Sequence, residues 1–311
     1  YLCVEPMDCS SYWKCRCSNC RKWIPQEAEA RDHYTDYGKD KVFFSNGTSS
    51  NYTFSFVNAV AREVRKTHPD KWIVCLAYSS HASYPSLVKL EPNIAVQYCF
   101  VSSGAPYSSL GIEHDTALLK EWREREPQRP LYLWLYYGLP FETLTHKVPC
   151  FPTYSAHTTG KLFSLFRSLN LRGMFFCGFG LEVDSYIMYR LTVDPTLDVD
   201  NLLGEYFTRM YGPAAGPMRK LYDKIEQIFS DPNNLHDKAD RKDKKVFWIE
   251  ELSWRYRGTA KRMAELGRLL AQAKAAAVTE VQKQRIKIFE LGTWDYMVSG
   301  REAYLKKIQG Q

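Results

Sequence analysis

The sequence predicts an α/β protein: about five βα units forming the C-terminal portion of a (β/α)8 TIM-like barrel, followed by an all-helical domain. Three observations predict it. Short apolar runs rich in β-formers alternate with amphipathic stretches of helical period. The runs are nearly continuous in apolar character, which suits parallel strands covered on both faces. Beyond Pro195 the alternation stops and only helical patterns recur.

The strands are expected at Tyr1–Val4, "WIVCLAY" (72–78), "IAVQYCF" (94–100), "LYLWLYY" (131–137) and "RGMFFCGF" (172–179). Between the first two, Phe54, Phe56, Val57, Val60, Ala61 and Val64 make a helical stripe that ends before Pro69. Segments 113–127 and 158–170 are the next amphipathic helices. A closed barrel needs eight units. With a strand at the first residue, the expectation is the last five units of a barrel cut from its first three, the rival being an open doubly wound sheet. The domains are placed at 1–195 and 196–311. In the second, Asp198 or Asp200 caps a helix through Met210, "YGPAAGPMRKLYDKIEQIF" gives another, and 244–274 and 277–308 are read as long helices. "SDPNNLHDKADRKDKK" is the most loop-like stretch.

Hydrophobic residues make up 45% of 311 residues, enough for a sizeable core. The net charge of +7 suggests nucleic acid until it is located. From Asp237 onward seventeen Lys and Arg face ten Asp and Glu, which accounts for all of it. Mixed signs on a helical tail describe a solvated face, and no aromatic-basic motif accompanies them, so nucleic-acid binding is not expected. No apolar run approaches the ~18 residues of a membrane span, and no signal peptide is visible.

Several phrases then combine. "FVNAVAREVRKTHPDKWIVCLAYSSHASYP", "NIAVQYCF", "LYLWLYYG", the "YGPAAGPM" junction and the opening "VEPMD…CRCSNC" resemble the bacterial family catalogued as domain of unknown function 4838, over roughly residues 1 to 230. The resemblance implies a glycoside-hydrolase-type barrel, distantly similar to α-glucuronidases and hexosaminidases, with Tyr1–Asp8 as a middle strand and 172–179 as the last. It also implies a carbohydrate partner, a role in polysaccharide breakdown and a secreted or periplasmic bacterial location. One departure stands out. Many relatives carry an acid after the tryptophan of the penultimate strand, where this chain has Leu135 after Trp134.

Barrel chemistry gathers at the C-terminal ends of strands. That rule selects Glu5 and Asp8, then Ser79, Ser80 and His81, then Ser102 and Ser103, then Tyr136, Tyr137 and Glu142, and finally Glu182 and Asp184. Hydrolysing a glycoside takes two carboxyl groups, one protonated for the leaving oxygen and one ionised for attack. The expected pair is Asp8 with Glu182, Glu5 orienting Asp8 or binding a hydroxyl. The structural alternative makes Asp8 a turn cap and Glu182 a helix cap. Asp184 is read as a helix cap or substrate contact. Tyr78, Trp134, Tyr136 and Tyr137 offer rings to sugar faces, the alternative being ordinary core, and His81 offers a hydrogen bond.

Nine cysteines include five in the first twenty residues. Cys15, Cys17 and Cys20, with Cys9 as a fourth, suit a structural Zn²⁺, the main rival being a disulfide and the remaining reading free thiols. Either clamp would hold the loop bearing Asp8. No cofactor is expected for catalysis. Rival readings are a non-catalytic sugar-binding relative and a metal-dependent hydrolase using His81 or His114, the latter lacking any HExxH spacing. The sequons at Asn46 and Asn51 carry no meaning in a bacterial host. Oligomeric state is not legible in the sequence.

Overall fold

A computed structural model describes residues 1–5, 17–23, 45–100, 109–138, 150–178, 182–234 and 250–310. It forms two compact units. One takes Tyr1–Ser103, Ser109–Tyr136 and Phe166–Cys177, the other Gly104–Ser108, Tyr137–Leu165 and Gly178–Gln311.

The first unit is built on β1 (Leu2–Cys3), β2 (Ile73–Ala77), β3 (Ile94–Phe100), β4 (Leu131–Gly138) and β5 (Gly173–Gly178). The strands lie side by side in chain order, a five-stranded parallel half-barrel. Registers run Leu2 against Ile73, Cys75 against Val96 and Cys99 against Trp134. Each expected strand is present within two residues of its predicted ends.

Helices α1 (Ser50–Thr67) and α2 (Ser109–Arg125) cover the outer face of the strands. Helix α1 buries Phe54, Val57 and Ala61 at i, i+3 and i+7, as the stripe predicts. Phe56 departs from the prediction and is 61% exposed. Its place is taken by polar residues. Asn51 accepts from Leu87 N at 2.8 Å, and Asn58 donates to Lys89 O at 2.8 Å while accepting from Glu91 N at 2.9 Å. The amide side chains thus satisfy the backbone of a non-regular connection, which no ladder would do. Trp122 of α2 packs on Phe54 and Tyr84 and donates its indole N–H to Ala82 O at 2.7 Å.

The second unit is helical: α3 (Ala156–Ser168, its last residues in the first unit), α4 (Glu182–Val193), α5 (Val199–Tyr211), α6 (Ala215–Ser230), α7 (Ala260–Ala276), α8 (Glu280–Phe289) and α9 (Asp295–Gln309). Asp198 caps α5 by accepting from Asn201 N, one of the two caps expected. The stretch expected as one helix to residue 274 is instead a π-helical turn, Leu252–Arg257, then Gly258, then α7 capped by Thr259. A second π segment, Glu290–Trp294, joins α8 to α9 without a break. The expected stretch 244–249 lies outside the described residues.

The "YGPAAGPM" junction has a physical reason. Gly212 sits at φ +53°, ψ −123°, and a Cβ there would meet Gln282 Nε2, whose side chain also completes the capping box of α8 with Thr279. Gly212→Ala is therefore expected to destabilise the protein by about 1–3 kcal/mol in urea unfolding. An unchanged midpoint would contradict the close approach.

Candidate functional site

Along β4, Leu131, Leu133 and Leu135 are buried on the outer face, and Tyr132, Trp134 and Tyr136 project from the other. Alternation along a strand makes this unavoidable. The inner face of β4 is aromatic along its described length. Tyr1 and Tyr132 meet edge to face, hydroxyl to hydroxyl at 2.7 Å, although β2 and β3 lie between their strands. Only a strongly curled sheet allows that. Toward the C-terminal ends the rings form one chain: His81 to Tyr78 at 6.5 Å, Tyr78 to Tyr136 at 6.5 Å, Tyr136 to Trp134 at 6.2 Å, and Trp134 to Phe175 at 4.2 Å. Four sequence-predicted residues, Tyr78, His81, Trp134 and Tyr136, are thus brought together. Tyr137 follows them in β4.

Sequence reading missed Phe175. The signal was present, since Phe175 and Cys177 fall on one side of β5 by period two, but two adjacent phenylalanines hide which one faces inward.

His81 ends a tight turn after β2 in which Ser79 adopts φ +50°. That left-handed position is held from outside. Asn46 N donates to Ser79 O, Ala82 N to Asn46 O, and Ser49 N to Ser80 O, and the Ser49 and Ser80 hydroxyls meet at 2.7 Å. Strained backbone held this firmly is concentrated at functional positions. His81 is 3% exposed and neither ring nitrogen has a partner among the described residues. Burial pushes its pKa down to about 4, so it is a neutral imidazole with one donor and one acceptor unspent. Trp134 Nε1 is likewise buried and without a partner among the described residues.

Glu5 has a defined task at the end of β1. Its carboxylate accepts from Leu76 N at 2.9 and 3.0 Å, continuing the ladder that Val4 N makes with Val74 O, and it also accepts from Cys3 Sγ at 3.1 Å. Burial raises its pKa, and its charge helps to raise the thiols of Cys75 and Cys99, whose own burial is the larger cause.

Glu182 and Asp184 open α4 in the second unit and face different partners. Tyr222 OH donates to Glu182 Oε1 at 2.5 Å. Asp184 is 4% exposed and accepts from Ser155 N at 3.0 Å, at the start of α3. Glu226 accepts from His157 N at 2.9 Å and meets its Nδ1 at 2.8 Å, so two carboxyl groups serve the N-terminus of one helix. Burial, then the charges of Glu226 and Glu182, lift Asp184 to about 8, while the hydrogen bond that His157 donates to Glu226 lifts His157 to about 9. His157 Nε2 lies 3.5 Å from Asp200, which also pairs with Arg219.

Asp8, Cys9, Cys15, Ser102, Ser103 and Glu142 lie outside the described residues. Cys17 precedes a one-turn helix, Ser18–Arg21, that includes Cys20. Among the described residues no group of three His, Cys, Asp or Glu side chains is arranged to hold a metal, and no helix is long and apolar enough to cross a membrane. His114 is turned to Ser45 O at 2.7 Å.

The family model for a domain of unknown function, DUF4838, matches residues 1–224. No curated protein matches the chain.

Proposed function

The chain belongs to the domain of unknown function 4838 family, and from that premise we propose that it is a glycoside hydrolase-like protein whose half-barrel is part of a TIM-like barrel. One observation carries the reading: the continuous chain of rings that starts at His81 and Tyr78, just past the C-terminal end of β2, and runs over Tyr136 to Trp134 and Phe175 within β4 and β5. Sugar rings present C–H faces that stack on such π surfaces, and this end of parallel strands is where barrel enzymes bind substrate. In this reading Tyr78, His81, Trp134 and Tyr136 hold a polysaccharide or uronic-acid oligosaccharide. Asp8 and Glu182 supply the two carboxyl groups, and Glu5 fixes the strand end before Asp8. The thiols of Cys9, Cys15, Cys17 and Cys20 clamp that loop, through zinc or a disulfide. The barrel part occupies 1–195 and the helical part 196–311, in a secreted or periplasmic bacterial protein.

A second reading, a non-catalytic carbohydrate-binding relative, is favoured by Leu135. Its side chain is fully buried on the outer face, so this strand offers no carboxyl after its tryptophan.

The test screens the protein against aryl glycosides and uronic-acid oligosaccharides. Hydrolysis is expected to fall about 10²–10⁴-fold in Glu182→Gln and in Asp8→Asn. Sugar binding without turnover in any variant selects the second reading. Absence of both binding and turnover removes the carbohydrate proposal. Metal content before and after a thiol reagent decides the clamp.

A further inference from the structure

A set of buried donors with no acceptor among the described residues lies in the helical unit. Leu252–Arg257 is a π-helical turn, closed by Gly258 N donating to Ser253 O at 2.7 Å. Such turns are rare and recur at functional sites. Ser253 and Arg257 lie four residues apart, a spacing that brings side chains to one side of such a turn. Ser253 Oγ and Arg257 Nε and Nη2 are all buried, and none has a hydrogen-bond partner among the described residues.

Arg257 is 1% exposed, its guanidinium 4.2 Å from the centre of the Phe229 ring. Burial lowers its pKa to about 10, so it stays charged at neutral pH. The influence acting the other way is the Cys150 thiol, itself buried. No Asp or Glu among the described residues pairs with Arg257. The nearest acids in sequence are engaged elsewhere, Glu251 with Arg255 and Glu250 with Lys307. Arg262 shows the usual arrangement, donating to Asn234 Oδ1 and to Tyr256 O.

A buried guanidinium without a counter-charge costs several kcal/mol, which a folded protein offsets by pairing it. Nε and Nη2 form the side-on fork of arginine, two parallel donors spaced for two oxygens of one anion. We propose that Ser253 and Arg257 form a binding site for a small oxyanion, a carboxylate or phosphate, lying over Phe229 and receiving a third hydrogen bond from the serine hydroxyl. The site is independent of the glycoside reading.

The experiment compares thermal unfolding of the whole protein in sodium acetate, sodium phosphate and sodium chloride at matched ionic strength. At least one oxyanion is expected to raise Tm over chloride, by about 2 °C at ten times its Kd. Acetate and phosphate as separate arms identify which chemistry the site takes. Arg257→Met is expected to lose the response and Arg257→Lys to lose most of it, because an ammonium lacks the fork. Ser253→Ala should reduce it, and this variant decides the matter if the Arg257 variants fail to fold. No rise over chloride with either oxyanion overturns the site, as does an undiminished rise in Ser253→Ala or Arg257→Met.

Discussion

Trp122→Ala is expected to cost about 3–5 kcal/mol in urea unfolding, the range for deleting a fully buried large aromatic. The indole is 1% exposed and fills the space between Phe54 of α1 and Tyr84. Its N–H answers Ala82 O, and Ala82 is the residue after His81. Truncation therefore opens a cavity and orphans a buried carbonyl in the segment that positions the imidazole. Trp122→Phe keeps most of the volume and loses the hydrogen bond, and should cost about 1–3 kcal/mol. If both variants unfold within about 1 kcal/mol of the parent, the packing described for this face is incorrect.

Asp184→Asn should raise Tm strongly at pH 8.5, much less at pH 5, and hardly at all near pH 3. The folded state holds the Asp184 proton to about 8, far above the 3.8 of an unburied aspartate. Between those values the native protein binds a proton that the unfolded chain has released, so stability falls as pH rises, by at most about 1.4 kcal/mol per pH unit. Asparagine never ionises and still offers an oxygen to Ser155 N. His157 runs in the same direction for another reason. Its folded pKa of about 9 exceeds the ordinary 6.5, so its contribution is complete below 6.5 and is lost as pH climbs through 9. Wild type should therefore lose stability across both windows and Asp184→Asn across the histidine window alone. Identical Tm–pH curves for the two proteins would show that Asp184 is not buried with its proton.

Much of this architecture is readable because it rests on local periodicity. "IAVQYCF" and "LYLWLYY" are strands for reasons contained in seven residues, and the Phe54–Val57–Ala61 stripe is a helix face whatever it packs against. Asp198 is a cap because its oxygen reaches a donor three residues on. The misses share one cause, partners distant in sequence. Phe56 looks like a core residue until Asn51 and Asn58 are seen to bond the 87–91 connection. The break at Gly258 depends on Trp254, whose ring lies where a Cβ would be. Asp184 looks like a cap of its own helix, yet its acceptor role falls at Ser155.

By itself, then, the amino-acid order determined which segments are strands and helices, that the strands run parallel, and which family this protein joins, because period, propensity and motif are short-range properties. Only the tertiary structure decided that Tyr78, His81, Trp134, Tyr136 and Phe175 form one aromatic chain, that His81 is neutral, and that Arg257 is buried with no acid paired to it among the described residues. Those are consequences of desolvation and of which distant groups come within hydrogen-bond reach, and neither quantity exists until the chain has folded.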